Sequence, residues 1–262
     1  MKVGRKGAWL VLAIVGIYYL VPMIAMTRFA FQRIPVIKLS SSNIFDKWTI
    51  APLIDTFKEA EFRKSVMLSL RLAIGTALLT LALLVPTMAI AHLRSLRMRR
   101  LIELSAAFPF VVPAIALVVG FAGAFRDTLP IFIRSPYGLV PLYVITALPF
   151  THRVLENGLA SLELRTLVDA SRSLGASWLR IIMFVIVPNM RASIATASFL
   201  AFTVVLGEFT IASLLLKNTL PLYLQYAQGR NPQGAFAVGI VLIVISTFFV
   251  AASNRFGKVV RS

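Results

Sequence analysis

The chain has 262 residues, 58% hydrophobic and 14% charged, with a formal net charge of +17. Soluble domains hold about 45–50% apolar and about 25% charged residues, so this excess does not fit one soluble core and points to an all-α protein crossing a membrane several times. The lack of cysteine excludes disulfides and thiolate metal sites, two histidines argue against a His-rich metal site, and basic residues that flank apolar stretches suit a membrane rather than nucleic acid.

Six spans are predicted, each near the ~20 residues that cross the hydrocarbon. The first runs from about Ala8 to Thr27. Lys2, Arg5 and Lys6 precede it as in a signal peptide, but no small-x-small cleavage site follows, so a retained anchor is expected. The second covers Leu72 to Ala91, with Arg71 at its edge, and the third Leu104 to Phe125. The fourth, Ser135 to His152, is interrupted by Pro136, Pro141 and Pro149. The fifth, Ala192 to Leu216, contains one acid, Glu208, and the sixth covers Ala235 to Asn254. Residues 1–262 read as a single transmembrane domain, without internal repeats or a soluble domain.

Basic residues set the expected orientation. One set of connections holds Lys2, Arg5 and Lys6, then Arg94, Arg97, Arg99 and Arg100, then Arg153, Arg165, Arg172, Arg180 and Arg191, then Arg255, Lys258 and Arg261. The opposite set, including Arg28, Arg33, Lys38, Arg126, Arg134 and Lys217, is more diluted by acids. The Arg94 to Arg100 turn therefore goes to the cytoplasm, and both termini with it. The Arg28 to Lys64 segment, a candidate binding-protein contact or a small solvated cap, falls outside.

This topology puts Asp169 to Pro188, DASRSLGASWLRIIMFVIVP, in the cytoplasm between spans four and five (about residues 153–191). Thr166 and Asp169 have capping-box spacing. Leu167, Ala170 and Leu174 recur at helical spacing as an apolar face. Gly175 stands where a helix end takes a left-handed residue. Trp178 suits a water–lipid boundary, and Pro188 should break or kink the chain before the fifth span. The expectation is a short helix, a glycine turn and an interfacial helix.

Here the sequence resembles the permease subunits of binding-protein-dependent ABC importers, whose cytoplasmic loop carries the motif EAA-x3-G-x9-I-x-L-P. Asp169, Ala170 and Ser171 stand at its EAA positions, Gly175 at its glycine, and Val185, Val187 and Pro188 at its end. The first-loop length and the GEFTIASLL run look closest to the spermidine/putrescine-type branch. The resemblance implies a coupling helix (Leu167, Asp169, Ala170, Ser171, Leu174, Gly175, Pro188) seated in a groove of a cytoplasmic ATPase. It also implies two P-loop ATPase subunits, a second permease (a homologue or an identical copy), an extracytoplasmic solute-binding protein, and the inner membrane of a bacterium. No G-x4-GK-[ST] loop occurs in the chain, so no cofactor is expected here; ATP and Mg would be bound by the partner. Asp169 either caps its helix or pairs with a partner cation.

Glu208 is costly within a span and usually marks a bundle interior or water. It either lines a translocation path with Thr203, Phe209 and Thr210 or pairs with a bundle cation such as Arg71. Tyr223 and Tyr226, between Asn218 and Gly234, are candidates for an external gate or for surface anchors. The implied function is one half of a translocation path for a small polar solute, a polyamine leading and an anion such as phosphonate or sulfate the other choice. The alternative is a secondary transporter or channel subunit. No catalytic motif for an enzyme is found.

Overall fold

The computed structural model describes the backbone of residues 5–32, 34, 40, 43 and 46–259, and the side-chain surroundings of residues 7–32, 34, 40, 43 and 46–247. Lys2, Arg33, Lys38 and Arg261 lie outside the described residues, as do the side chains of Arg5, Lys6, Arg255 and Lys258. The described backbone is helical, with fourteen α-helices in chain order: α1 (Arg5–Phe31), α2 (Ala51–Lys58), α3 (Ala60–Arg94), α4 (Leu96–Ala107), α5 (Ala114–Phe125), α6 (Ile131–Arg134), α7 (Leu139–Ala160), α8 (Leu164–Ser173), α9 (Trp178–Ile181), α10 (Val187–Asn189), α11 (Arg191–Gly207), α12 (Thr210–Leu214), α13 (Leu220–Arg230) and α14 (Pro232–Val259). They form two compact units, Met1–Arg63 with Tyr223–Ser262, and Lys64–Leu222.

In the first unit α1 lies along α14. The Phe29 and Phe236 rings meet edge to face at 5.3 Å. The side chains from Trp9 to Ile24 are almost all exposed and apolar on every side, the pattern of a helix made for lipid. Polar contacts gather at the other end of α1. Gln32 donates to the carbonyls of Asn43 and Asp46, and its own carbonyl accepts from Gln233 at 2.8 Å. α2 closes on α14 through Asn231, which donates to Thr56 Oγ1 at 3.2 Å.

In the second unit α7 packs along α11. Ala147, Ala201 and Ala77 are buried together, and Gly158 faces Ser193 and Met190. Small residues let backbones approach closely where lipid gives no hydrophobic drive between helices. Two apolar clusters flank this seam. One holds Met88, Leu155, Leu159, Leu164, Val168, Ile181, Ile186 and Met190; the other holds Leu72, Ala73, Leu139, Leu142, Tyr143, Ile211 and Ala212.

The predicted spans are only partly continuous. Among the described residues three helical stretches, Gly7–Phe31, Ala60–Arg94 and Pro136–Ala160, are long and apolar enough to cross a membrane. The first and second predicted spans fall within the first two. The fourth is longer than predicted and continues past His152 to Ala160, and Pro149 sits inside α7 without ending it. The third is not one helix: α4 and α5 meet at 105° across the turn Phe108–Phe110 and Pro113. Pro109 and Pro113 lack the N–H groups that would carry the helix through. The fifth is preceded by an 84° bend and ends at Gly207. The apolar stretch Pro232–Thr247 of α14 is shorter than a span over its described part.

Candidate functional site: the α8 segment and the broken fifth helix

α8 is an amphipathic helix. Leu164 and Val168 sink into the cluster around Ile181 and Met190. This corrects the expected apolar face: Leu167 is only half-buried, Ala170 is exposed, and Leu174 is 88% exposed. The Leu167, Ala170, Leu174 stripe therefore points outward. The capping box is not formed either. The helix starts at Leu164, with Glu163 at its N-cap and no side-chain cap bond. Burial of Leu164 draws the start of the helix ahead of Thr166, and Asp169 lies in mid-helix with its carboxylate exposed.

The end of α8 follows its sequence. The Gly175 N–H donates to the Arg172 carbonyl at 2.8 Å, and the Ala176 N–H donates to the Ser171 carbonyl at 3.1 Å. These two bonds form a Schellman cap, which needs a left-handed residue after the helix. Gly175 has φ +77° and no atom within 4 Å of where a Cβ would stand. Ser171 also ties its Oγ to the Leu167 carbonyl at 2.7 Å. α9 then passes into one π turn, Ile182–Ile186, in which the Val187 N–H reaches back to the Ile182 carbonyl. Such wide turns accommodate a following proline by shifting the hydrogen-bond register. Pro188 is exposed in α10, just before the 84° bend at Met190.

A cleft of about 500 Å³ opens beside α8, lined by Ile90, Leu93 and Arg94 of α3, Arg165, Val168, Asp169 and Arg172 of α8, and Trp178. The Arg172 guanidinium lies 5.9 Å from the Trp178 ring centroid, within cation–π range. Arg94 was not singled out from the sequence as a partner of α8; nothing local signals that the end of α3 meets it. Near that end Glu156 of α7 accepts from Arg99 of α4 and lies 3.4 Å from His92 Nε2, so one carboxylate ties three helices.

The second predicted constellation centres on Glu208. It is not in mid-helix. α11 ends at Gly207, Glu208 is extended with φ −78° and ψ 116°, and α12 starts at Thr210. The Glu208 carboxylate accepts from the Ile211 N–H at 2.9 Å and the Ala212 N–H at 3.3 Å. It therefore caps the first turn of α12, where amides and dipole favour an anion. The expected partner Arg71 instead reaches Tyr137 Oη at 3.5 Å, and no ion pair of Glu208 occurs among the described residues. The buried Tyr143 hydroxyl is within electrostatic reach of the carboxylate but makes no hydrogen bond of good geometry. Thr203, Phe209 and Thr210 are exposed around the break, and Thr203 Oγ1 is bonded to the Phe199 carbonyl.

The two candidate gate tyrosines differ. Tyr226 is exposed, whereas Tyr223 is buried and donates to Glu59 Oε2 at 2.6 Å, with its ring 5.5 Å from that of Phe62. Burial, then the Glu59 carboxylate, pushes the Tyr223 hydroxyl above its ordinary pKa. Both tyrosines are carried on one helix, α13.

Among the described residues the architecture is helical, with long apolar helices, two bent apolar helix pairs and an outward-facing, glycine-capped short helix, the class of a polytopic membrane protein. Residues 79–262 match the family model of the binding-protein-dependent transport system inner membrane component, and the chain belongs to that family. It is thus the membrane permease component of an ABC transport system, not the subunit that hydrolyses ATP. A putative ABC transporter permease of Streptomyces antibioticus, protein ORF1, is 30% identical over 79% of this chain and 92% of its own length. The molybdate/tungstate transport system permease protein WtpB of Pyrococcus abyssi is 23% identical over 92% of this chain and 96% of its own. A probable sulfate transport system permease protein of Chlorella vulgaris is 26% identical over 60% of this chain and 65% of its own. The fold is also that of a solved bacterial ABC transporter involved in import of the acidic polysaccharide alginate, with TM-score 0.62, 17% identity, and 96% and 97% of the two chains covered. None of these relatives is named for a polyamine, and the Glu208 carboxylate that suggested a cation is taken up by backbone amides.

Proposed function

We propose that this chain is one half of the translocation path of an importer for a small oxyanion of the sulfate or molybdate kind, driven by a partner ATPase seated on α8. The observation that carries the reading is the outward stripe Leu167, Ala170 and Leu174, closed by the left-handed Gly175. A short helix presents apolar and small residues to water only at a cost, which a partner surface removes. The side chain of Asp169 has no partner among the described residues and is free to meet a cation of the ATPase. Pro188 and the following bend pass a push on α8 into α11.

The Arg94 to Arg100 turn faces the cytoplasm with α8, and six membrane crossings are completed when each bent pair and α14 count as one each. A second permease, identical or homologous, completes the path, and a solute-binding protein delivers the solute. Thr203, Phe209 and Thr210 line the path at the break in the fifth helix, and Glu208 shapes that break. Tyr226 is the gate candidate at the α13 surface. The named relatives support the oxyanion class.

Uptake of radiolabelled sulfate and molybdate by cells expressing the transporter, with Ala170→Arg or Gly175→Arg, tests the reading. We expect inserted permease, loss of copurified ATPase and loss of uptake. Unchanged uptake rejects the coupling role of α8. Uptake of neither anion by the parent rejects the substrate class.

A further inference from the structure

We infer that the cleft between the end of α3 and α8 binds the headgroup of an anionic phospholipid. Arg94, Arg165 and Arg172 converge on it against one carboxylate, Asp169. None of these four side chains takes part in an ion pair or a polar hydrogen bond among the described residues. Guanidiniums left around one cleft repel each other, and a phosphate diester supplies the missing charge with oxygens spaced for bidentate arginine contacts. The volume, about 500 Å³, is of the size that small ligands fill.

The walls select the source of that phosphate. Ile90, Leu93 and Val168 are apolar, and Trp178 lines the cleft under the Arg172 guanidinium. The chain that follows Trp178 exposes Leu179, Met183 and Phe184, side chains that lipid covers. The cleft thus lies where a long apolar helix ends and a tryptophan begins, the level of headgroups rather than of bulk water. Basic pockets between membrane helices bind anionic headgroups by this combination. A lipid held there would brace α8 against α3. The inference rests on the membrane setting of the chain, not on the ATPase reading.

The test uses the full chain with Trp9→Phe and Trp48→Phe, leaving Trp178 as the sole indole. It is reconstituted in mixtures of phosphatidylglycerol and phosphatidylcholine, with one or the other lipid brominated. Brominated phosphatidylglycerol should quench Trp178 with roughly tenfold preference, and R94Q/R165Q/R172Q should bring the ratio to about one. The single Arg165→Gln should lower it part-way, should the triple variant not insert. Equal quenching by the two lipids in the parent overturns the inference. So does a preference abolished by millimolar inorganic phosphate, which would make a free anion the ligand. So does a preference indifferent to the arginine substitutions while these abolish ATPase copurification, which would give the cleft to acidic side chains of that partner.

Discussion

Gly158 of α7 and Ser193 of α11 touch backbone to side chain: a methyl on Gly158 would stand 2.6 Å from Ser193 Cβ. Gly158→Ala should therefore force α7 and α11 apart and cost ~1–3 kcal/mol, as overpacking does. Thermal unfolding in detergent would show the loss, and Ser193→Gly should restore part of it. Independent, additive effects of the two substitutions would mean that the helices do not meet there.

Gly175→Ala isolates backbone strain, because a Cβ there meets no neighbour within 4 Å. The φ of +77° alone should cost ~1–2 kcal/mol. The expected result is a permease that inserts and unfolds slightly earlier, with α8 less firmly capped and ATP hydrolysis less tightly linked to uptake. Limited proteolysis after Arg172 would detect the fraying. Unaltered cleavage would argue that the glycine is not needed for the turn.

Glu208 separates a charge role from a capping role. Glu208→Gln keeps a carbonyl oxygen for the Ile211 N–H, so uptake should stay near that of the parent. Glu208→Ala leaves both amides of α12 unmet and should cost ~1 kcal/mol locally, with reduced uptake. The pair of uptake assays decides: a dead Gln variant would show that the negative charge itself is required.

Tyr223 gives a pH dependence. Its folded-state pKa lies above the ordinary value of 10.0, so below that pH the phenol is protonated folded or unfolded and stability does not respond to it. As pH rises above 10.0 the unfolded chain ionises first, the folded chain holds the extra proton, and the stabilisation is lost towards the folded pKa. Tyr223→Phe should flatten this alkaline loss and, by leaving Glu59 without its donor, cost ~1–3 kcal/mol at neutral pH. Thermal melts of both proteins from neutral pH into the alkaline range would check both effects.

The turn chemistry of the α8 segment was legible because it is local. A glycine at a helix end and a proline before a bend need no knowledge of the rest of the chain, and Gly175 and Pro188 sit where their types predict. The face that packs was not legible. Leu164 with Val168, and Leu167 with Ala170 and Leu174, are both helically spaced, and only contact with Met88, Ile181 and Met190 selects the first. Prolines were equally ambiguous: Pro149 is carried within α7, whereas the third span breaks at Pro109 and Pro113, and the residue type alone does not tell the two outcomes apart. Glu208 read as a lone acid in an apolar run. A glycine just before it, and a small polar residue two places after, is the only local sign that a new helix begins there.

Helix α1 carries a different kind of information from the rest. From Trp9 to Ile24 it is exposed in its own unit, and among the described residues its ring and side-chain polar contacts to α14 lie near its last turn, at Phe29 and Gln32. Within that unit, a foreign apolar helix of equal length grafted onto those last residues should serve as well. Within its own unit the stretch is specified by solubility in oil rather than by fit.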